Sequence, residues 1–435
     1  MKFEAIYAVY GLALSTIWLG YALNRRRNQS RDMAILQESV EAGLTEPNSL
    51  HPDIDPVHCV GCGACAKACP EGTIIGIIEG KATLINPTEC IGHGACAQAC
   101  PTQAISLVFG TATRGVDIPQ LSPDFQTNVP GIFIAGELGG MGLVRNAIEQ
   151  GKQAMDSIRK LPSKGRPDCL DVLIVGSGPA GFSAALAAKE AGLNYLVVEQ
   201  DDLGGTVFKY PRGKLVMTQP ATLPIVGKVK FSLVLKEKLL GFWQQIEREQ
   251  QLRINYQEQM SAIETQPDGS FVVQTSKGSY ATSAVLLSIG RRGTPRKLEI
   301  PGENLPKVVY QLIDAEQYRG SKVLVVGGGD SALEGACSIA EEANTSVTLS
   351  YRSDAFSRAE TRNRERVRKL QNDGQLEVLM SSNVLEIHPD RVMIETPEGV
   401  ITRGNDAVII CAGGILPTGL LKSIGVAMET KYGTA

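Results

Sequence analysis

Neither charge is in excess: 43 Lys and Arg stand against 46 Asp and Glu, a formal net charge of −3 over 435 residues. With charged residues at only 20%, no field of one sign runs along the molecule to hold a polyanion, which argues against nucleic acid as a partner. Cysteine is absent from most of the chain. Seven of the ten lie between Cys59 and Cys100, while Cys169, Cys337 and Cys411 stand alone. That crowding points to metal and away from a secreted disulfide framework. No C-x-x-C pair exists outside the crowded stretch, which disfavours direct dithiol exchange, and the three isolated thiols read as small buried side chains. The length is too great for one hydrophobic core and implies roughly two or three domains.

A long uncharged run occurs at the start. Ala5 to Leu23 holds 19 residues without a charge, among them Leu12, Leu14, Ile17, Trp18 and Leu19, and Arg25, Arg26 and Arg27 follow. The run is long enough to span a bilayer. The charges come after it and no small-residue cleavage site is evident, which fits an uncleaved anchor better than a removable signal peptide. The arginines then put the redox part of the chain on the cytoplasmic side of an inner (cytoplasmic) membrane crossed once. A buried or partner-binding helix is the alternative. The polar stretch 24–56 reads as a tether with one short helix around Met33 to Ala42.

Cys59, Cys62, Cys65 and Cys69-Pro70 give the spacing C-x2-C-x2-C-x3-C-P, in which three thiolates wrap one cubane and the fourth reaches another cluster. The spacing recurs at Cys90, His93, Cys96 and Cys100-Pro101, and Gly61, Gly63, Gly92 and Gly94 keep the backbone close to the inorganic core. The pair resembles bacterial two-cluster ferredoxins. That resemblance assigns Cys59, Cys62, Cys65 and Cys100 to one [4Fe–4S] cluster, and Cys69, Cys90 and Cys96 to a second of [4Fe–4S] or [3Fe–4S] type. His93 stands where the second cluster's remaining thiolate would be. Either it ligates, and as a neutral ligand raises the reduction potential, or it is a bystander. A zinc site is the weaker alternative for the cysteines, because seven thiols in two ferredoxin-spaced groups exceed what structural zinc needs.

Asp171 to Val175 reads as a strand running into Gly176-Ser177-Gly178-Pro179-Ala180-Gly181, then a helix from Phe182 to Ala191 and a strand from Tyr195 to Val198 ending at Glu199. Backbone N–H groups of such a turn meet a pyrophosphate, and an acid 23 residues after the first glycine can accept from ribose hydroxyls. A second unit runs from Lys322 to Val326 through Gly327-Gly328-Gly329-Asp330-Ser331-Ala332 to a strand over Ser346 to Ser350. No carboxylate closes it. Arg352, with Arg358, favours the 2′-phosphate of NADPH, with NADH as the alternative, unless these arginines are only a solvated face.

These units resemble the thioredoxin-reductase-like flavoproteins, in which the first dinucleotide unit binds FAD and an inserted second unit binds NAD(P)H. The resemblance covers about three quarters of the chain. Leu287 to Gly290, Ile300 to Glu303, and Ile410 to Gly413 with Leu416 to Thr418 add to it. The order differs from the family. Its closing segment is matched by Thr127 to Glu137, yet that stretch precedes the first glycine turn, so the chain reads as circularly permuted with the ferredoxin-like module joined at the new start. The resemblance puts Gly136 and Glu137 near the flavin ribityl and pyrophosphate. Gly205 and Thr206 look like the bacillithiol-disulfide-reductase-like branch, which carries Cys where this chain has Ala180.

The expected fold is α/β: two Rossmann-like dinucleotide-binding domains for FAD and NAD(P), a small α+β ferredoxin-like domain and an N-terminal transmembrane helix. Boundaries fall at 1–23 for the anchor, 24–56 for the tether, 57–108 for the two-cluster domain and 109–160 for the permuted closing segment. They continue with 168–294 for the FAD domain, 295–413 for the NAD(P) domain and 414–435 for the return to the FAD domain. The expected function is an iron–sulfur flavoprotein oxidoreductase exchanging electrons with a ferredoxin, a cytochrome or a quinone-linked protein. Nothing requires an acid–base triad, so no catalytic side chain is assigned. A low-molecular-weight disulfide reductase and a non-catalytic redox sensor or electron-transfer subunit are the alternatives, and the resemblance adds an expectation of a homodimer.

Overall fold

A computed structural model describes residues 2–47, 50–112, 114–140, 142–161, 168–217, 220–231, 233–291, 293–357 and 359–433. It divides into two compact units, residues 1–113 with 433–435, and residues 114–432.

The first unit begins with one unbroken helix, Lys2–Glu41. The tether expected from residue 24 is therefore helical for most of its length. The sequence allows this, because no proline occurs before Pro47 and the stretch is rich in Arg, Gln, Glu, Leu and Ala. Gly43, with φ of 66°, ends the helix, and the Leu44 N–H folds back to the Ser39 carbonyl. Tertiary contact holds the second half. Asp32, 5% exposed, accepts a hydrogen bond of 2.9 Å from the Ile77 N–H and is held by Arg31 at 3.0 Å. A Cβ on Gly76 would lie 2.8 Å from the Asp32 side chain, so the helix docks here only because residue 76 is glycine.

The first half presents Tyr10, Leu12, Leu14, Ile17, Trp18 and Leu19 to solvent. Among the described residues no helix is long and apolar enough to cross a membrane. The side chains of residues 2–6, 8 and 9 lie outside the described part, so the expected span Ala5 to Leu23 is described only in part.

The rest of the first unit is a small α+β module. Strand His51–Ile54 pairs antiparallel with Ile105–Val108, and Ile75–Ile78 pairs with Lys81–Leu84. Short helices Ala64–Ala68 and Ala95–Gln98 follow the two cysteine loops. Ile74, Ile75, Ala104 and Ile105 pack with Cys59, Cys65, Cys90 and Cys96, so four of the expected ligand thiols lie in the core itself.

The second unit repeats one plan twice. In the first dinucleotide domain a five-stranded parallel sheet runs in the order Ile254–Asn255, Tyr195–Val198, Val172–Val175, Val285–Leu287, Ile132–Ile134. In the second the order is Leu376–Leu379, Ser346–Ser350, Lys322–Val326, Ala407–Ile410, Val308–Val309, again all parallel. Each sheet carries a three-stranded antiparallel meander, over Met260–Thr265, Phe271–Thr275 and Ser279–Thr282, or over Asn383–Ile387, Arg391–Thr396 and Gly399–Gly404. The central strands are buried on both faces, which is why they read as unbroken Val, Leu and Ile runs.

The stretch ahead of the first glycine turn belongs to the first dinucleotide domain. Ile132–Ile134 forms the sheet's edge, and helix Val144–Ile158 lies so close to helix Pro179–Glu190 that a Cβ on Gly151 would reach 2.0 Å from the Ala180 carbonyl oxygen. Val116–Pro119 pairs antiparallel with Met428–Lys431, Val116 opposite Lys431. Asn128 bridges the same region, donating to the Gly425 carbonyl and accepting from the Ala427 N–H.

Candidate redox site

Four of the expected cluster ligands surround one hollow. Cys59, Cys62, Cys65 and Cys100 line it together with Val60, Ala82 and Ile105, and it is partly open to solvent. Among the described residues no three His, Cys, Asp or Glu side chains converge to hold a single ion. A cubane asks for a different arrangement, thiolates spread around a cluster, and the hollow offers that. The Ala82 N–H donates to Cys59 Sγ at 3.4 Å and the Ala104 N–H to Cys100 Sγ at 3.3 Å, contacts of the kind that tune a cluster's potential.

Cys69, Cys90 and Cys96 form the second set. Burial pushes the Cys90 thiol up to about 11, and the neighbouring Cys96 and Cys69 add to the shift. Burial likewise raises Cys65, Cys69 and Cys96. Iron must displace the protons of such thiols to bind. All ten cysteines are free of disulfides.

The first glycine turn has the form its motif requires. Gly176 takes φ of 98°, and a Cβ there would meet the Ser288 carbonyl oxygen at 2.6 Å. A Cβ on Gly181 would come within 1.9 Å of the Gly176 carbonyl oxygen, so helix and turn touch only because position 181 has no side chain. Glu199 is buried, and its Oε2 accepts from the Ser177 N–H at 2.6 Å and Ser177 Oγ at 3.1 Å. Gly205 faces Gly178, with 3.1 Å between a Cβ built on Gly205 and the Gly178 Cα, and half-buried Thr206 comes next in the chain. Gly136, with φ of 85°, lies against Ala180 and donates its N–H to Gln150 Oε1 at 2.8 Å. Next to it, Glu137 acts on Arg291, whose guanidinium burial pushes below its ordinary value and which donates to the Asp117 carbonyl. This cradle of close backbones, helix N-terminus and buried acid fits a dinucleotide.

At the second turn Gly327 takes φ of 145° and Gly329 opens onto free space. Gly328 is covered by the Tyr351 ring, 2.3 Å from a built Cβ, and that ring stacks on Phe356 at 5.6 Å. Asp330 Oδ1 accepts from the Glu360 N–H and from Asn363 Nδ2, both at 2.8 Å, so its carboxylate ties down the next loop. Ser331 is exposed. Arg352 is exposed just past strand Ser346–Ser350, and Arg358 lies outside the described residues.

A model of the pyridine nucleotide-disulphide oxidoreductase family matches residues 173–434. The chain belongs to that family. A 4Fe-4S dicluster domain matches residues 51–101. The protein is thus a flavin and NAD(P) oxidoreductase carrying an iron–sulfur domain. A ferredoxin–NADP reductase of Ignicoccus hospitalis is 32% identical over 45% of this chain and 61% of its own length. One from Thermus thermophilus is 30% identical over 60% of this chain and 78% of its own. Bacilliredoxin reductase Bdr of Bacillus subtilis is 26% identical over 60% and 82%. Among solved structures, bacillithiol disulfide reductase Bdr from Staphylococcus aureus shares 25% identity, with a TM-score of 0.52 over 59% of this chain and 80% of that one.

The expected dinucleotide residues Gly176, Glu199, Gly327 and Arg352 lie at or just past the C-terminal ends of parallel strands. Ala180 is 4% exposed and packs beneath Gly136, so this part of the cradle offers no thiol. Gln150, Arg291 and Asn363 were not named from the sequence, and Ser288 and Tyr351 were named without a role. Ser288 could have been suspected from the segment Leu287 to Gly290, and its Oγ donates to the Val175 and Gly176 carbonyls at 2.9 Å. The others lie outside any motif and are found only through their partners.

Proposed function

We propose that this protein carries electrons between NADPH, FAD and two iron–sulfur clusters held on the same chain, and exchanges them with an external one-electron carrier. The observation behind this reading is the joining, in one polypeptide, of two complete dinucleotide folds with two ferredoxin-spaced sets of thiols. Relatives that match the flavoprotein part are called ferredoxin–NADP reductases, and here a ferredoxin-like module accompanies that part. Bound FAD would take two electrons from a nicotinamide as hydride and release them singly, the division that one-electron clusters require. The chain's own residues bind and orient. The Gly176 to Gly181 backbone meets the flavin pyrophosphate, Glu199 the ribose, Gly327 and Gly329 the nicotinamide nucleotide's phosphates, and Arg352 the 2′-phosphate. Cys59, Cys62, Cys65 and Cys100 hold one cluster, and Cys69, Cys90 and Cys96 the other.

We also infer a circular permutation of the flavoprotein. Pairing of Val116–Pro119 with Met428–Lys431, the Asn128 bridge, and the edge position of Ile132–Ile134 all support a closing segment moved to the front without loss of its place in the domain. The exposed apolar face from Tyr10 to Leu19, followed by Arg25 to Arg27, supports attachment to a membrane through the first helix. Release of the protein from membranes by high salt alone would remove that part of the reading.

Kinship with bacilliredoxin reductase favours a second reading, reduction of a low-molecular-weight disulfide, against which Ala180 stands. Anaerobic titration with NADPH and with NADH, followed by visible absorption and low-temperature EPR, separates the two. Flavin bleaching followed by a cluster signal supports electron transfer. Flavin reduction with clusters that stay oxidised, together with turnover of a small disulfide, replaces it with the second reading.

A further inference from the structure

The two cysteine loops have the same backbone. Gly61 and Gly63 take φ of 66° and 75° around Cys62, and Gly92 and Gly94 take 76° and 77° around His93. In each loop the second glycine caps a short helix, with ψ of 7° at Gly63 and 4° at Gly94. Both loops are pinned to the module: a Cβ on Gly61 would come within 1.9 Å of the Gly80 carbonyl oxygen, and one on Gly92 within 2.3 Å of the Leu50 carbonyl oxygen. The backbone therefore presents His93 in the second loop as it presents Cys62 in the first. The surroundings of the two side chains differ. Cys62 is exposed, whereas His93 Nε2 is shut off from solvent and has no hydrogen-bond partner among the described residues.

A ring nitrogen kept from water without a partner is costly, and a neutral imidazole nitrogen is a common metal donor. On the iron–sulfur reading of the function, three thiolates serve the second cluster and one coordination place is left. We propose that His93 Nε2 fills that place, completing Cys69, Cys90 and Cys96, and that this cluster consequently has the higher reduction potential of the two. Replacing thiolate by a neutral ligand removes one negative charge from the iron's first shell, so an added electron is repelled less. The second cluster is then the one that holds the electron at equilibrium.

The test uses full-length protein purified without oxygen and reduced stepwise with dithionite. Pulsed EPR of wild-type protein should show nitrogen coupling on one cluster signal, altered by 15N-histidine and absent in His93→Cys. That variant should keep its iron with a lowered midpoint for one cluster. His93→Ala should lose about one iron per chain and show a three-iron signal. If His93→Ala fails to accumulate, the nitrogen coupling of the wild type decides alone. Absence of nitrogen coupling, with midpoints and iron unchanged in the variants, makes His93 a bystander and overturns the proposal while leaving the thiolate-held clusters standing. Wild-type protein that binds no iron under anaerobic reconstitution overturns both.

Discussion

In the first dinucleotide domain the strand after the glycine turn ends at a buried carboxylate, Glu199, whereas in the second it ends at Tyr351 and an exposed Arg352. The backbones agree strand for strand. The turns differ at four of their six positions, Ser177 against Gly328, Pro179 against Asp330, Ala180 against Ser331 and Gly181 against Ala332, and the residue just past the fourth strand is Ser288 in one and Cys411 in the other. Ser288 N–H donates to the Val175 carbonyl and Cys411 N–H to the Val326 carbonyl, so these two residues occupy matching places. One fold is thus adapted to two nucleotides by a few side chains at the strand tips, because the shared backbone supplies only the phosphate cradle.

The largest effect that would break the parallel concerns the turns. Gly181→Ala puts a methyl 1.9 Å from the Gly176 carbonyl oxygen and 2.6 Å from Ser288 Oγ. We expect loss of bound flavin and of about 3 kcal/mol or more of stability, measured by flavin content and thermal unfolding. The mirror change, Ala332→Gly, should cost only about 1 kcal/mol and spare nucleotide binding, since it merely loosens a helix. A Gly181→Ala protein with full flavin would mean that the two turns are interchangeable.

A middle-sized effect sharpens the contrast of charge. Arg352→Glu should raise the KM for NADPH by roughly 10- to 100-fold through loss of a charge-assisted contact and leave NADH little changed. An unaltered NADPH to NADH ratio would reduce Arg352 to a solvated surface residue.

The smallest concerns the outer strand of the second sheet. Arg403 beside Glu377, with Thr348, holds the Glu377 carboxyl below its ordinary value. A depressed folded value means that the pair contributes stability above the unfolded glutamate pKa and loses it as pH falls through the folded one. Both side chains are 40% or more exposed, so screening limits the contribution to about 1 kcal/mol or less. Glu377→Gln should therefore lower the unfolding temperature slightly at neutral pH, and the difference from wild type should vanish on acidification.

The family and part of the site's geometry were legible in advance. Cysteine spacing located the thiols that now surround one hollow, because a cubane dictates its ligand intervals locally. Gly176 and Gly327 were recognisable as turn glycines from their short motifs, and the structure gives them φ of 98° and 145°. The helix expected around Met33 to Ala42 is present but is continuous with everything before it from Lys2, which the polar composition of residues 24–32 did not suggest. Asp32 in this stretch is held by the Ile77 N–H 45 positions away, a contact no local pattern records.

The sequence by itself determined the two nucleotide turns, the thiol sets and the family, since these depend on residue types at short fixed intervals, where covalent geometry does the selecting. Only the tertiary structure decided that Ile132–Ile134 closes the sheet beside Val285–Leu287, that Asp330 serves the loop at Glu360 instead of standing free, and that His93 Nε2 is sealed from water. Each of these depends on burial and pairing between segments far apart in the chain, which interval and composition do not record.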